Sequence, residues 1–434
     1  MERSVSSVDW RQEFDRKLSS PEEAANLIQS GDHIWIPIGH ASPVIMRAIA
    51  ARRDELQNVQ IRGLRLPDVG FYEEEAGAAF HVQTQFITEQ DRHALTARTI
   101  DYHPYWMVGI HKALDGGRGD GEAWQLDKVI LRVSPPNEDG YVNLGGNVWD
   151  GITSARRADC VIAEVNERIV ETYGDTALHV SELDYIVPDN TGVMPKPRPV
   201  TPEAADEGIA HYVSTIVQDG DTIQLGVGKH MEAIVTAGAF DEKTDLSYFG
   251  ELTVRGCVGL AESGVITGRS AMVHPNKFVA TRIGNTVEEQ QIIHRNPRYE
   301  LYSLEYLLDP RLIAKNERMV AINGALSVDL SGQINVSSFG PRQHSGVGGH
   351  LTFALGAYLA PKGRYVCVLP STQLGGTVST IMAQFDAGQI VTVPRELADT
   401  VVTEYGIARL LGKSVRQRAE ELISIAHPDF RAEL

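Results

Sequence analysis

The sequence predicts an α/β protein built from two related α/β domains with mostly parallel sheets. Three observations lead there. Compact apolar runs such as Val129–Val133 alternate with helix-like segments, the pattern of buried parallel strands crossed by helices. A strand, a glycine turn and a helix follow one another twice, in IQSGDHIWIPIG and VQDGDTIQLGVG, where Gly31 and Gly220 stand 189 residues apart, as do Gly39 and Gly228. Further echoes keep the same order: EDGYVNLGG (138–146) with LSGQINVSSFG (330–340), and Cys160-Val161-Ile162 with Cys367-Val368-Leu369. One short match arises easily by chance; three in register point to duplication.

The elements follow in order. PEEAANLIQ (21–29) reads as a short amphipathic helix opened by proline. Gly31-Asp32 turns into the apolar run His33–Ile38, closed by Gly39, and Pro43 to Arg53 reads as a helix. The run Val129–Val133 is stopped by Ser134 and two prolines, and DCVIAEVNERIV and LDYIVP read as strands. Residues 187–203 hold five prolines, a boundary composition. The expected domains are 1–193 and 204–434, joined by a linker at 194–203. ADEGIAHYVSTIV is a helix feeding the turn Gly220-Asp221 and the run Ile223–Val227. The spacing of Met231, Ile234 and Val235 then predicts a helix. Gly346-Val347-Gly348-Gly349 precedes a helical run through Phe353, Leu355 and Tyr358. Gly375-Gly376 follows the strand Tyr365–Leu369; a plain tight turn is the competing reading for both glycine features, and an equal one for GVGG taken alone. The tail from Val401 to Leu434 reads mainly as helix, with His427 as a capping or packing residue.

Bulk numbers bound the function. A chain of 434 residues, 42% hydrophobic and 22% charged, holds two or three domains with sizeable cores. The formal net charge of −17 argues against nucleic acid and anionic membranes as partners. The three cysteines, Cys160, Cys257 and Cys367, lie scattered in apolar runs and read as buried thiols in a reducing compartment, neither a disulfide frame nor a metal site. The N-terminus lacks the apolar core of a signal peptide, and no run approaches the ~18 apolar residues of a membrane span. These features predict a cytoplasmic protein.

The candidate chemistry centres on residues 220–268. Glycines at the turn Gly226–Gly228 let a ligand approach the backbone, and the helix start presents N–H groups without intrahelical partners. The turn is not a phosphate loop, because Ile223 stands where its first glycine belongs and His230 follows Lys229. Nor is it a dinucleotide fingerprint, since Met231 takes the third glycine position. Glu251, a lone acid among Phe249, Gly250, Leu252 and Val254, is a candidate for a poorly solvated carboxylate. The GVGG segment offers nearly consecutive backbone N–H groups for an oxyanion.

Taken together, SPPNEDGYVNLG (134–145), INGALSVDLSGQINVSSFG (322–340), HSGVGGHLTFALGA (344–357), VCVLPST (366–372) and the segment 401–430 resemble the acetyl-CoA hydrolase/CoA-transferase family, whose members include 4-hydroxybutyrate, butyrate and succinate CoA-transferases. The resemblance runs nearly end to end. It implies a two-domain enzyme with its active site between the domains, and it assigns roles to residues. Glu251 matches the glutamate that becomes a γ-glutamyl-CoA thioester. Gly226, Val227, Gly228, Lys229 and His230 look like a CoA-contacting loop, and Asn323, Gly346 and Gly349 match positions near CoA or the thioester. Coenzyme A or an acyl-CoA enters as substrate, with no permanently bound cofactor and no metal. Two-domain enzymes of this kind often associate into homo-oligomers.

Two segments depart from the family pattern. Where many relatives carry Ser-Asp-Gly soon after the glutamate, this chain has Val254-Arg255-Gly256, and the N-terminal turn IPIGHASP is poorer in glycine. His40, Arg62, Arg65 and Arg255 are therefore candidates to pair a second carboxylate, with structural charges as the competing reading. The expected activity is transfer of CoA from a donor such as succinyl-, acetyl- or butyryl-CoA to a free carboxylate, with dicarboxylates such as succinate or itaconate in range. The alternatives are an acyl-CoA hydrolase on the same scaffold and a non-catalytic acyl-CoA binder.

Overall fold

The computed structural model describes residues 9–63, 66–104, 125–189 and 199–434, which form two compact units: the described residues up to 189 with 293–297 and 301–305, and the remainder of 199–434. Among the described residues, no helix is long and apolar enough to cross a membrane.

The first unit is organised on a parallel sheet of β1 (His33–Ile36), β2 (Val59–Gly63), β3 (Phe80–Thr84), β4 (Ile100–Tyr102), β5 (Lys128–Val133), β6 (Cys160–Val165) and β7 (Tyr185–Pro188), in the order β7-β6-β5-β1-β2-β3-β4. Ile34, Ile36, Ile61 and Val82 pack against Ile45, Met46 and Ile49 of the helix Pro43–Ala50. Each such side chain removed from water contributes about 1.5–3 kcal/mol.

The second unit repeats the plan. Its strands β8 (Thr222–Leu225), β9 (Ser247–Phe249), β10 (Phe278–Ala280), β11 (Met319–Gly324), β12 (Arg364–Val368), β13 (Thr400–Thr403) and β14 (Gly406–Arg409) include the order β14-β13-β12-β11-β8-β9-β10. All neighbours are parallel except the closing pair β13/β14. Six strands of the first unit, β7-β6-β5-β1-β2-β3, match β13-β12-β11-β8-β9-β10 in order and sense.

The duplication extends to side-chain turn chemistry. Asp32 accepts a hydrogen bond from the N–H of Gln29 at 2.8 Å, and Asp221 from that of Gln218 at 2.7 Å, beside Gly31 and Gly220 at φ of 85° and 76°. After β5, Asn137 accepts from the N–H groups of Asp139 and Tyr141; after β11, Asp329 does the same for Ser331 and Gln333. Such short polar side chains bonding back to nearby backbone are what fix turns of this kind.

The tail departs from the expected helix. Thr400–Thr403 joins the sheet beside β12, and Gly406–Arg409 folds back antiparallel on it before the helix Val415–Ile425 begins. The β-branched Val401, Val402 and Thr403 favour a strand, and Gly406, at φ 152°, supports the reversal. His427 does cap the last turn, where its side chain accepts from the Asp429 N–H.

Candidate active site

All four residues of β8 are buried, the signature of a central parallel strand covered on both faces. One of them, Gln224, is polar and needs partners. It finds them in Asn323, at the end of the neighbouring β11: the Asn323 amide donates to Gln224 Oε1 at 2.8 Å, and the Gln224 amide donates to Asn323 Oδ1 at 3.2 Å. The reciprocal pair fixes which way Asn323 faces. Gly226 lies against it, so that a Cβ at Gly226 would stand 2.6 Å from Asn323 Oδ1. Gly226→Ala is therefore expected to lower stability by about 1–3 kcal/mol in urea unfolding, through overpacking and a broken buried amide pair. An unchanged midpoint would mean that the pair is slack.

The turn that follows is held from one side. Lys229 pairs with Glu203, and His230 Nδ1 lies 2.7 Å from Oδ1 of the buried Asp206, both partners belonging to the start of the helix Ala204–Ile216. Gly228 caps the helix Lys229–Thr236 at φ 131°, with open space where a Cβ would be, and Val227 is exposed. A helix N-terminus with free N–H groups and open space beside it suits an anionic group.

Glu251 follows β9 and Gly250. Its backbone is pinned: the Glu251 carbonyl accepts from the N–H groups of Thr281 at 3.0 Å and Arg282 at 3.2 Å, and the Tyr248 hydroxyl donates to the Leu252 carbonyl at 2.5 Å. Its Oε2 accepts the Gly349 N–H at 2.7 Å. Gly349 itself ends the GVGG loop and caps the helix His350–Leu359. As a residue Glu251 keeps partial contact with solvent, whereas protein encloses its carboxyl so closely that burial pushes the pKa up to about 7, against the opposing pull of the Gly349 N–H. The Glu251 charge is also felt by Tyr248, whose hydroxyl burial raises well above its ordinary range.

The carboxyl ends of the adjacent strands β11, β8 and β9 thus gather Asn323, Gly226 and Glu251, the edge at which open parallel sheets hold ligands. Gly349 is in direct contact with Glu251, and the buried Gly346 lies three residues before it in the same loop. Arg255 is half-buried in the segment after Glu251, where the Gly256 N–H donates to Glu289 Oε1 at 3.2 Å and Asn285 Nδ2 donates to the Thr253 carbonyl at 2.9 Å.

The first-unit candidates fare differently. Arg65 lies outside the described residues. Arg62 donates from Nε to Gln83 Oε1 at 2.8 Å, along the sheet. His40 is buried with both ring nitrogens engaged: Nδ1 accepts the Arg132 N–H at 3.2 Å, and Nε2 lies 2.7 Å from the Asn147 carbonyl. Burial holds its pKa down near 4, so it carries no charge at neutral pH. The expectation that His40 pairs a carboxylate gives way to that of a neutral tie between backbone segments. Gln224 and Tyr248 were missed in the sequence. A single Gln inside an otherwise apolar run was the available signal for the first; nothing local marked the second.

The comparisons with known proteins agree on one family. Residues 1–196 match the acetyl-CoA hydrolase/transferase N-terminal domain and residues 288–434 its C-terminal domain. The chain is 34% identical to the succinyl-CoA:cyclohexane-1-carboxylate CoA transferase of Geobacter metallireducens, over 98% of this chain and 95% of that one. It is 32% identical to the 4-hydroxybutyrate coenzyme A transferase of Clostridium kluyveri, over 98% of each. Its fold superposes on the crystal structure of RipA from Yersinia pestis with a TM-score of 0.91 and 29% identity, over 98% of each chain. With both domain models matched in order, and full-length relatives above 30% identity, the chain belongs to the acetyl-CoA hydrolase/transferase family.

Proposed function

We propose that the protein is a CoA-transferase that moves CoA from an acyl-CoA to a free carboxylic acid through a thioester on Glu251. The observation that carries this reading is the carboxyl of Glu251, enclosed, raised to a pKa of about 7 and held by one backbone N–H at the carboxyl edge of the sheet. A carboxylate of raised basicity is the stronger nucleophile, and at neutral pH much of it is still ionised.

The exchange balances step by step. The Glu251 carboxylate attacks the thioester carbonyl, the C–S bond of the tetrahedral adduct breaks, and CoA leaves as thiolate, so that a mixed anhydride of Glu251 and the donor acid is formed. The thiolate attacks the Glu251 carbonyl, and the donor acid departs as carboxylate, leaving the γ-glutamyl thioester. An acceptor carboxylate repeats the two steps in reverse. Donor, acceptor and enzyme all offer carboxylates, so each step is nearly balanced in energy. Each addition places negative charge on an oxygen beside Glu251, where the Gly349 N–H is already aimed; one such donor is typically worth roughly 10²–10³ in rate. The burial of the Glu251 carboxyl also limits the water that would otherwise hydrolyse the intermediate. The turn Gly226–His230 would receive CoA at its open face, with Asn323 and Gly346 alongside. Arg255, in the segment just after Glu251, is the cation we assign to a second carboxylate when the acid is a dicarboxylate such as succinate or itaconate.

The test is direct. The enzyme is incubated with acetyl-CoA or succinyl-CoA, reduced with borohydride and digested, and the modified peptide is mapped by mass spectrometry. The label is expected on Glu251 and absent after Glu251→Ala. A label elsewhere, or none with exchange intact, overturns the reading. Release of free CoA without an acceptor acid at the rate seen with one would favour a hydrolase.

A further inference from the structure

The helix that begins beside Glu251 carries a buried polar link that the proposed chemistry does not use. His350, the residue after Gly349, is buried, and its Nε2 lies 2.5 Å from the hydroxyl of Tyr365. The two rings meet edge to face with centroids 5.6 Å apart. Tyr365 lies in the interior of β12, paired in register with Ala321 of β11, and its own N–H donates to Asp399 Oδ2 at 3.2 Å. Apart from Thr352, the rest of the buried helix face is apolar or small, Phe353, Ala354, Gly356 and Ala357. It packs so closely that a Cβ on Gly356 would stand 2.5 Å from Ile313.

An imidazole and a phenol are costly to bury, and an apolar pair of similar size would pack here without that cost. What a hydrogen bond adds is direction: it sets where the first residue of the helix sits against the sheet. The residue one step back along the chain, Gly349, supplies the only backbone N–H found on the Glu251 carboxyl among the described residues. Burial keeps His350 neutral, far below its ordinary range, so the link does not change charge over the pH span in which Glu251 titrates. The titratable groups around the link are Tyr365, the buried Cys367 beyond it and Asp399, whose carboxylate accepts the Tyr365 N–H; all three are pushed up by burial.

We infer that His350 and Tyr365 are a positioning pair: their hydrogen bond aims the Gly349 N–H at Glu251 and so sets the acidity and reactivity of that carboxyl. The inference rests on the reading of Glu251 as the nucleophile, but its test does not require transfer. Tyr365→Phe keeps the ring and removes the hydroxyl. The readout is the pH midpoint for carbodiimide modification of Glu251 in the free enzyme, followed by peptide mapping, with wild type and variant side by side.

A loosened N–H stabilises the carboxylate less, so the midpoint should rise by about half a pH unit or more. Turnover should fall roughly 5- to 20-fold while KM for the acyl-CoA stays within about twofold, because the lost interaction acts in the transition state. An unchanged midpoint and turnover would overturn the inference. His350→Gln, whose amide reaches about as far as Nε2, should keep the wild-type midpoint, and His350→Leu should not. That pair decides the matter if Tyr365→Phe proves unstable. If the midpoint moves as expected but borohydride never labels Glu251, the catalytic reading fails and the positioning role stands. If Glu251 is labelled and no variant moves the midpoint, only this inference fails.

Discussion

Glu251→Gln is expected to reduce CoA exchange between acids by roughly 10⁴-fold or more, because an amide of the same shape cannot act as the nucleophile. The same change should make the protein more stable. The folded-state pKa of Glu251, about 7, lies above its ordinary 4.5, so between those values the folded protein binds more protons than the unfolded chain. Stability therefore falls as pH rises through that window; the cost is absent below the lower value and complete above the higher one. A glutamine, never ionised, escapes it. Urea unfolding should show the variant more stable by up to about 3 kcal/mol at pH 8, shrinking to about 1 kcal/mol or less at pH 5. An active site that opposes stability is what a buried, reactive carboxylate implies. Equal stability of the two proteins at both pH values would show that Glu251 is not held in a poorly solvated place. Retained exchange would remove it from the chemistry altogether.

What could be read from the sequence was local in the chain or repeated within it. The turn at Gly220-Asp221 is set by a side chain bonding to backbone three residues away, and its twin at Gly31-Asp32 obeys the same chemistry, so comparing two short strings exposed a duplicated sheet. Glu251 stood out because a lone acid in an apolar segment has few bland explanations. What held it in place could not be seen. Gly349 lies 98 residues further on and Asn323 lies 99 beyond Gln224, and no spacing rule connects such pairs. The tail was misread for the same reason. The β-branched Val401, Val402 and Thr403 favour a strand, but the strand forms because β12 lies beside it to accept the pairing, and the segment does not announce that neighbour. His40 shows the limit for single residues: a histidine after a glycine turn looks like a partner for a carboxylate until both its nitrogens are found to be engaged by backbone.

Gly349→Ala should cost roughly 10²–10³ in turnover, the second large effect, and it isolates one atom. The backbone at Gly349 has φ −82° and ψ 1°, a conformation open to alanine, so the added methyl introduces no backbone strain. Its position is the difficulty. A Cβ there would stand 2.1 Å from Glu251 Oε2, 3.2 Å from Glu251 Cδ and 3.0 Å from Leu308 Cδ2. Leu308 is fully buried and has little room to retreat. The Glu251 backbone is fixed by Thr281 and Arg282, leaving the carboxyl as the part that moves. It must turn away and give up the N–H that held it. The acyl-CoA should still bind, since Gly226–His230 is anchored separately through Glu203 and Asp206. The expected pattern is a collapsed kcat, a KM changed by less than about threefold and a matching loss of borohydride-trapped Glu251. Turnover within about twofold of wild type would mean that the carboxyl works without that contact, and the role given to the GVGG loop in holding the nucleophile would have to be abandoned.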